Sequence, residues 1–395
     1  MPGPLHGTRV LDLTRILAGP FATMKLGDMG ADVVKVELPR TGDDTRTWGP
    51  PFVQGEAAYY LAVNRNKRSI TLDLKHPRGR EVLERLVRAG DIVVENFRPG
   101  TMEKLQFGWD RVRALNPRMI YAAVSGYGHT GSRSTEPSYD VIVQGESGLM
   151  DLTGLPDGPP TKVGVSIADL TAGQLAVEGI LLALIERGRT GQGQKVDVAL
   201  LDGILSLFTY QGQNYFATGK PSRRMGNRHP SITPYETFQA SDAHVNVGVA
   251  NESFWKPFCE AIGREDLLAD PRFKDNPSRI AHREELAGAL AQVFATQPAQ
   301  HWVDALSRRG VPVGHIRTVG DVLDDPARAE RDMVWDLPHP KIGALRAVGN
   351  PIKLSGHHDL PRRPPPRLGE HTDEILAELG YSGEEVRALH DAGAV

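Results

Sequence analysis

The first half of the chain alternates short apolar runs with helix-length segments, and this rhythm limits the fold more than any other feature. Strands alternating with helices of this length form a mostly parallel sheet covered on both faces. The sequence therefore predicts an α/β domain with a Rossmann-like sheet, whose ligands would bind at the carboxyl ends of the strands. The predicted strands are Thr8–Leu13, Ala31–Glu37, Ser69–Leu74, Asp91–Glu95, Met119–Val124 and Lys195–Leu200.

The pattern of predicted strands and helices changes near residue 220, which predicts a second domain. The polar stretch Lys220–Pro230 contains glycine and proline and suits a domain linker. We therefore predict a large domain over residues 1–220, a smaller α+β domain over residues 225–325, and a return to the large domain with C-terminal helices over residues 326–395. Within this return, Pro361–Pro366 is expected to form a stiff extended arm.

The composition excludes several classes of protein. The chain has 395 residues and a net charge of −3 with both signs interspersed, which argues against a nucleic-acid binder. Its single cysteine, Cys259, excludes an intrachain disulfide and a cysteine-based metal site. We find no signal peptide and no run of about 18 apolar residues, so we expect a cytoplasmic protein that does not enter membranes.

Common cofactor and nucleophile motifs are absent. The turn after the first predicted strand, Thr14–Pro20, lacks GxGxxG, which disfavours a dinucleotide-binding dehydrogenase. The P-loop, HExxH and GxSxG patterns do not occur either. The only adjacent histidines, His357 and His358, are expected in a surface loop, and we predict no metal site.

Asp169 lies where a proline- and glycine-rich loop gives way to a long apolar run, Leu175–Ile185. It is therefore expected at the start of a buried helix that is too short to span a membrane. The simpler interpretation is a helix N-cap, because a carboxylate there accepts free backbone N–H groups. The alternative is a carboxylate nucleophile at the positive end of the helix dipole, facing a pocket. Local sequence does not decide between the two.

Ten segments together resemble one family, the type III CoA-transferases, which includes formyl-CoA transferase and the carnitine CoA-transferases. Arg15–Thr23 and Gly42–Pro51 look closest to the dicarboxylate branch, typified by succinyl-CoA–glutarate CoA-transferase. Each segment is weakly diagnostic by itself, but their joint order and spacing are specific. The matching segments are Val10–Pro20, Leu26–Glu37, Gly42–Arg46, Asn64–Ser69, Glu95–Gly100, Gly126–Gly128, Tyr139–Asp140, Asp169, Gly191–Gln194 and Leu368–Thr372.

The resemblance implies a reaction and an assembly. An aspartate, matched here by Asp169, would attack the thioester of an acyl-CoA to give a mixed anhydride and CoA thiolate. The thiolate would then form an aspartyl-CoA thioester, and an acceptor carboxylate would reverse the steps. Coenzyme A thus enters as a substrate, with no tightly bound cofactor. The family also implies an interlocked homodimer.

The resemblance further implies contacts with CoA and a lid. Lys104 stands where the formyl-CoA enzyme has arginine, and Leu17 stands where that enzyme has glutamine. Leu38 stands where it has a second arginine, for which Arg40 could substitute. Val247–Ser253 matches the glycine-rich lid of the family but carries one glycine, so a plain strand end is an equal interpretation. The implied CoA-binding residues are Leu17, Ala18, Leu38, Arg40, Leu72, Lys75, Asn96, Phe97, Arg98, Lys104 and Tyr139.

A dicarboxylate acceptor would need a cation for its second carboxylate. Arg15 and Arg46 are the candidates, because arginine binds carboxylates bidentately. Arg46 could instead brace its own loop by pairing with Asp43 or Asp44. The other substrate-binding residues that we predict are Tyr139, Ala250 and Asn251.

Two other functions share this fold. An α-methylacyl-CoA racemase needs a His–Asp pair, whose place is taken here by Tyr139 and Asp140, and tyrosine is a poor base at neutral pH. His129 is nearby in sequence, but in a turn. A non-catalytic CoA-binding protein would not need Asp169, which is present.

Overall fold

The computed structural model describes residues 3–357 and 360–395, which form two compact units. The first unit comprises Met1–Ser147, Val163–Gln213 and Pro326–Val395, and the second comprises Gly148–Lys162 and Asn214–Asp325. This division differs from the predicted one, because Gly148–Lys162 joins the second unit. The Arg224 guanidinium contributes by donating to the Asp151 carboxylate (2.7 Å). The histidine pair lies partly outside the described residues, since His358 is not among them.

The strands of the described residues number thirteen, and the helices include two short 3-10 turns, Asp44–Thr47 and Pro271–Phe273. The strands are β1 (Arg9–Asp12), β2 (Asp32–Glu37), β3 (Phe52–Val53), β4 (Glu56–Ala57), β5 (Lys67–Thr71), β6 (Ile92–Glu95), β7 (Ile120–Ser125), β8 (Lys195–Ala199), β9 (Tyr235–Gln239), β10 (His244–Gly248), β11 (Val313–His315), β12 (Val334–His339) and β13 (Gly343–Val348). The α-helices are α1 (Ala18–Asp28), α2 (Ala58–Val63), α3 (Pro77–Ala89), α4 (Thr101–Lys104), α5 (Trp109–Leu115), α6 (Asp140–Glu146), α7 (Leu149–Leu152), α8 (Ile167–Thr190), α9 (Leu200–Leu207), α10 (Thr209–Thr218), α11 (Glu252–Ala261), α12 (Asp266–Ala269), α13 (Asn276–Ala281), α14 (Arg283–Phe294), α15 (Ala299–Ser307), α16 (Val319–Leu323), α17 (Pro326–Glu330), α18 (Thr372–Glu378) and α19 (Gly383–Asp391).

The first unit is built on a six-stranded sheet in the order β5-β2-β1-β6-β7-β8. All five pairings are parallel, so the predicted α/β fold is confirmed. The chain runs outward from β1 through β2 to β5 and returns to the other side at β6. The carboxyl ends of β1 and β6 therefore meet at the switch point, where such sheets form their ligand crevice.

Helix α8 is longer than the apolar run that predicted it. It spans 24 residues and is long and apolar enough, by length and composition, to cross a membrane, which corrects our expectation. In the first unit it packs against α1 and β7, with Ala168, Ala172, Ala176 and Ile180 fully buried. A helix that packs in this way also forms the core of a globular unit.

A fully buried ion network lies among β1, β2 and β5. Lys67 Nζ donates to Asp12 Oδ2, Pro20 O and Asn64 Oδ1, each at 2.9 Å. Lys35 Nζ donates to Asp43 Oδ2 and Thr14 O, both at 2.9 Å. Burial by itself would raise the pKa of Asp12, but the two lysines outweigh it and hold that pKa well below its usual range. These bonds fix the loop that follows β1.

The C-terminal segment packs on the first unit. The arm Pro361–Pro366 runs beside β5, where Asn66 N donates to Arg363 O (3.1 Å) and Arg363 N donates to Asn66 Oδ1 (2.7 Å). Helices α18 and α19 then bury Ile375 and Leu389 in the same core as β1, β5 and β6. The arm therefore packs against the first unit, to which it belongs.

The second unit has its own core. Its three-stranded antiparallel sheet has the order β11-β10-β9, and helices cover one face. Aromatic residues pack between this sheet and its helices. The ring of Phe238 stacks on that of Phe294 with centroids 4.5 Å apart, and the Trp302 ring lies 5.0 Å from Phe294. Cys259 is buried in this core, and burial raises the pKa of its thiol to about 12.

We predict that Lys67→Met lowers the free energy of unfolding by about 3–5 kcal/mol, because it leaves the buried Asp12 carboxylate without its cation. Chemical denaturation measures the loss. The matched control is Arg88→Ala, which breaks an exposed pair with Glu84 and should cost less than about 0.5 kcal/mol. Equal effects of the two substitutions would contradict the role given to the network.

Candidate active site

A cleft opens at the switch point of the sheet. Arg15 follows β1 and Asn96 follows β6, and the two are joined by reciprocal hydrogen bonds. Arg15 N donates to Asn96 Oδ1 (2.8 Å), and Asn96 Nδ2 donates to Arg15 O (2.7 Å). The wall made by these loops faces Ser125 at the end of β7 and Asp169 in the first turn of α8. The cleft therefore gathers residues from three strands and one helix.

The start of α8 is capped by a side chain from another helix. Ser166 occupies the N-cap position without a side-chain cap bond. Instead, Asp140 Oδ1 accepts the Ala168 N–H (2.9 Å), while Asp140 Oδ2 accepts from Gln144 Nε2 (2.7 Å). The N-cap interpretation of Asp169 is therefore wrong, because the residue lies within the first helical turn and Asp140 satisfies the backbone there.

Asp169 is half-buried and lines the cleft. Its carboxylate accepts no hydrogen bond from residues 3–357 or 360–395, so both oxygens keep their lone pairs. Burial raises the pKa of Asp169 to about 7, and the nearby Asp140 carboxylate adds to this. The helix N-terminus was expected to favour the anion, but burial and a like charge prevail. The result is a desolvated carboxylate poised to ionise near neutral pH.

Close packing between α1 and α8 holds Asp169 in place. At Gly173, one turn beyond Asp169, a Cβ atom would lie 2.6 Å from Ala18 O. Only glycine permits this approach, which brings the start of α1 to the first turns of α8. Ile16, just before α1, has φ of 73°, a conformation that β-branched residues rarely adopt. Strain of this kind is concentrated at functional sites.

Eight of the predicted site residues line this one cleft. They come from the loop after β1 and the start of α1, from the loop after β6, from the N-cap of α6 and from the first turn of α8. These residues are Arg15, Leu17, Ala18, Asn96, Phe97, Arg98, Tyr139 and Asp169.

The other predicted CoA-binding residues lie elsewhere. Leu38 and Arg40 line a separate cavity beyond β2, beside Thr71 and the C-terminal residues. Lys75 and Lys104 are exposed to solvent. Leu72 needs correction, because it is 1% exposed and packs in the core of the first unit, so its side chain cannot touch a ligand.

Arg46 also needs correction as a substrate-binding residue. Its guanidinium donates to both Glu37 carboxylate oxygens (2.8 and 2.7 Å) and to Tyr60 Oη (2.6 Å). It also donates to Pro366 O (3.2 Å). The arginine thus braces its loop, as one interpretation expected, but through Glu37 rather than through Asp43 or Asp44. Its donors are committed within the fold.

The predicted lid belongs to the second unit. Val247 is part of β10, Asn251 is the N-cap residue of α11, and Ser253 Oγ donates to Asn251 Oδ1. Ala250, between them, borders a cavity on the face of the three-stranded sheet. The roles of Ala250 and Asn251 toward substrate stay predictions.

Sequence reasoning missed Ser125 and the capping role of Asp140. Ser125 is 7% exposed, and its Oγ has no hydrogen-bond partner among the described residues, although it lines the cleft. A serine that ends a strand gives no sequence signal of this kind. The described residues contain no cluster of three or more histidine, cysteine or acidic side chains arranged to hold a metal ion.

A parallel sheet with a half-buried carboxylate in the cleft at its switch point is an α/β arrangement suited to covalent carboxylate chemistry. The sequence profile described as CoA-transferase family III matches residues 5–372. The chain therefore belongs to CoA-transferase family III and is a CoA-transferase, which confirms the resemblance.

Known proteins resemble the chain over almost its full length. The acetyl-CoA:oxalate CoA-transferase of Acetobacter aceti is 43% identical and aligns over 95% of this chain and 96% of its own length. The succinyl-CoA:glutarate CoA-transferase of Homo sapiens is 38% identical and aligns over 99% of this chain and 90% of its own length. A crystal structure of a CAIB/BAIF family protein from Brucella suis superposes with a TM-score of 0.85 at 42% identity, covering 96% of this chain and 100% of the other. These relatives do not favour the racemase alternative.

We predict that kcat/KM falls as the pH falls through about 7. The raised pKa means that Asp169 becomes protonated, and hence non-nucleophilic, below that value, so the rate at pH 6 should be about tenfold below its plateau. Asp140→Asn keeps an acceptor for the Ala168 N–H but removes the like charge. It should therefore move the midpoint to lower pH. A midpoint unchanged in this variant would contradict the electrostatic argument.

Proposed function

We propose that Asp169 is the nucleophile of a CoA transfer between two carboxylic acids. The observation that carries the proposal is a half-buried carboxylate, free of hydrogen bonds, in a cleft at the switch point. One of its oxygens attacks the thioester carbonyl carbon of the donor, the C–S bond breaks, and an anhydride and CoA thiolate result. The thiolate attacks the aspartyl carbonyl and releases the donor acid. The acceptor carboxylate then takes CoA by the same steps in reverse.

The CoA moiety is proposed to enter along the wall formed by the loop after β6. Arg98 is exposed on this loop and suits a phosphate, while Phe97 offers an apolar ring packed partly on the core. Coenzyme A in this position is a substrate. No tightly bound cofactor is needed for the steps above, because the nucleophile belongs to the chain.

A dicarboxylate acceptor is proposed, with Arg15 as the residue that binds its second carboxylate. The relatives named for oxalate and glutarate support this choice. Arg15 is half-exposed and pairs with Asp44 (3.2 Å), which is equally exposed. Such a surface pair contributes little to stability, so a substrate carboxylate can replace Asp44. Succinyl-CoA is the proposed donor class, because the relatives from Homo sapiens and Haloarcula hispanica have succinyl-CoA in their names.

A second copy of the chain is proposed to cover the outer helices of the first unit, giving a homodimer in the cytoplasm. Large apolar side chains of α8 and α9 are exposed there, including Leu182 (67%), Ile185 (65%) and Leu205 (48%). Exposed apolar side chains concentrated in this way mark an association surface. The single, buried cysteine suits a reducing compartment.

We predict that incubation with succinyl-CoA yields a covalent CoA adduct on Asp169, detected by intact-mass analysis and peptide mapping. Asp169→Asn should carry no adduct. The matched control is Asp140→Asn, which should still form one, because the Asp140 carboxylate is occupied by Ala168 and Gln144. An adduct on Asp140, or one that survives in Asp169→Asn, would refute the assignment.

We predict that Arg15→Gln raises KM for a dicarboxylate acceptor by about tenfold or more, because a charge-assisted hydrogen bond is lost. Steady-state kinetics with glutarate and with a monocarboxylate of equal length tests this, because KM for the monocarboxylate, which lacks the second carboxylate, should be unchanged. Asp44→Asn frees Arg15 and should not raise KM for glutarate. Equal losses for both acceptors would show that Arg15 serves another purpose.

A further inference from the structure

Glu95 is a buried carboxylate that has no lysine or arginine partner in the described part of the chain. It ends β6, directly beneath the cleft, and is 1% exposed. Among residues 3–357 and 360–395, the only cation-forming group within ion-pair distance of Glu95 is His129, whose Nε2 lies 3.6 Å from Glu95 Oε1. Burial raises the pKa of Glu95 to about 7. Burying such a group is costly, so its presence in this place calls for a function.

The Glu95 side chain supports one wall of the cleft. Its Oε2 accepts the backbone N–H of Phe97 (2.8 Å), in the loop that also contains Asn96 and Arg98. Asn96 in turn holds Arg15 through the reciprocal hydrogen bonds described above. One carboxylate therefore anchors both loops that meet at the switch point.

The geometry around His129 shows where its proton resides. Lys195 Nζ lies 3.2 Å from His129 Nδ1, and because an ammonium group can only donate, Nδ1 must accept. The ring proton of the neutral imidazole is therefore on Nε2, which faces Glu95 and has no hydrogen-bond partner within the described part of the chain. Burial, followed by Lys195, lowers the pKa of His129. The imidazole thus stays neutral and offers one N–H toward the Glu95 carboxylate.

Other titratable groups surround this pair. Tyr121 Oη, from β7, lies 3.4 Å from Glu95 Oε1 and can donate to it. Asp197, from β8, accepts the backbone N–H of His129 (3.0 Å). The Glu103 carboxylate, from α4, opposes ionisation of Glu95, and Lys195 favours it.

We propose that Glu95 is a positioning residue whose ionisation tightens the cleft wall and thereby strengthens binding of the CoA moiety. The inference rests on the proposed CoA site. When the Glu95 proton leaves to solvent, the carboxylate accepts the Phe97 N–H and the Tyr121 hydroxyl as charge-assisted hydrogen bonds, which are stronger than those to a neutral carboxyl. Affinity for CoA therefore rises as the pH passes upward through neutrality.

The test compares two full-length variants by calorimetric titration with free CoA between pH 6 and pH 8. The parent is Asp169→Asn, which removes the ionisation of the nucleophile, and the second variant adds Glu95→Gln. The ionisation of CoA itself is common to both. We expect the ratio of the two Kd values to change by about fivefold across this range, from the difference between charged and neutral hydrogen bonds. Adding Glu146→Gln instead, at an exposed position, should leave the parent's pH profile unchanged.

The outcomes separate this inference from the proposed function. If the parent binds CoA and the Glu95→Gln profile runs parallel to it, the positioning role is overturned while the CoA site stands. If the parent binds no CoA at any pH, both are overturned. A second measurement needs no variant at Glu95. In the parent labelled with ¹⁵N-phenylalanine, the amide resonance of Phe97 should titrate near neutrality, and a resonance that does not move between pH 6 and pH 8 would overturn the proposal.

Discussion

The loop after β1 depends on charges buried beneath it. Lys35 donates to Thr14 O and Asp43 Oδ2, and Asp43 Oδ1 accepts the Ile16 N–H (3.2 Å). A chain of buried ionic hydrogen bonds therefore reaches from the sheet to the residue with positive φ that precedes α1. Buried ion pairs often contribute little net stability compared with apolar packing, but they are strict about geometry. In this molecule Arg15 and Leu17, which flank Ile16, both line the cleft.

The sheet could be predicted from the sequence because its strands are apolar runs. Even so, β5 was predicted at Ser69–Leu74 and lies at Lys67–Thr71. Its first residues, Lys67 and Arg68, can be buried because they pair with carboxylates far away in the sequence. A hydrophobic pattern cannot show such partners. The same limit explains Arg46, for which the sequence left open a substrate contact or a pair with Asp43 or Asp44. Its guanidinium instead binds Glu37, nine residues away on β2. Asp169 was assigned to the site by resemblance. The positions of Ser125 and Glu95 at the site could be recognised only in the structure, where three strand ends come together.

Division into two units limits what each can do by itself. The first unit carries Asp169, the proposed nucleophile, together with the Arg15–Asn96 wall and the start of α8, so it holds the groups that would react. An anhydride in an open cleft would be hydrolysed, and exclusion of water is a requirement of the proposed chemistry. Burial raises the pKa of the Asp169 carboxylate, which indicates that this group is already partly shielded from water.

Asp169 and Glu95 show how one environment can prepare two carboxylates for opposite tasks. Both are buried near the same switch point, and burial raises the pKa of each to about 7. Glu95 accepts the Phe97 N–H and the Tyr121 hydroxyl, so its charge, once formed, is stabilised by hydrogen bonds. Asp169 accepts none from the described residues, and the neighbouring Ala168 N–H is bound by Asp140 instead. A nucleophile needs that freedom, since each hydrogen bond to a carboxylate oxygen stabilises the anion and weakens its attack. The capping aspartate from α6 is thus what keeps the Asp169 carboxylate free.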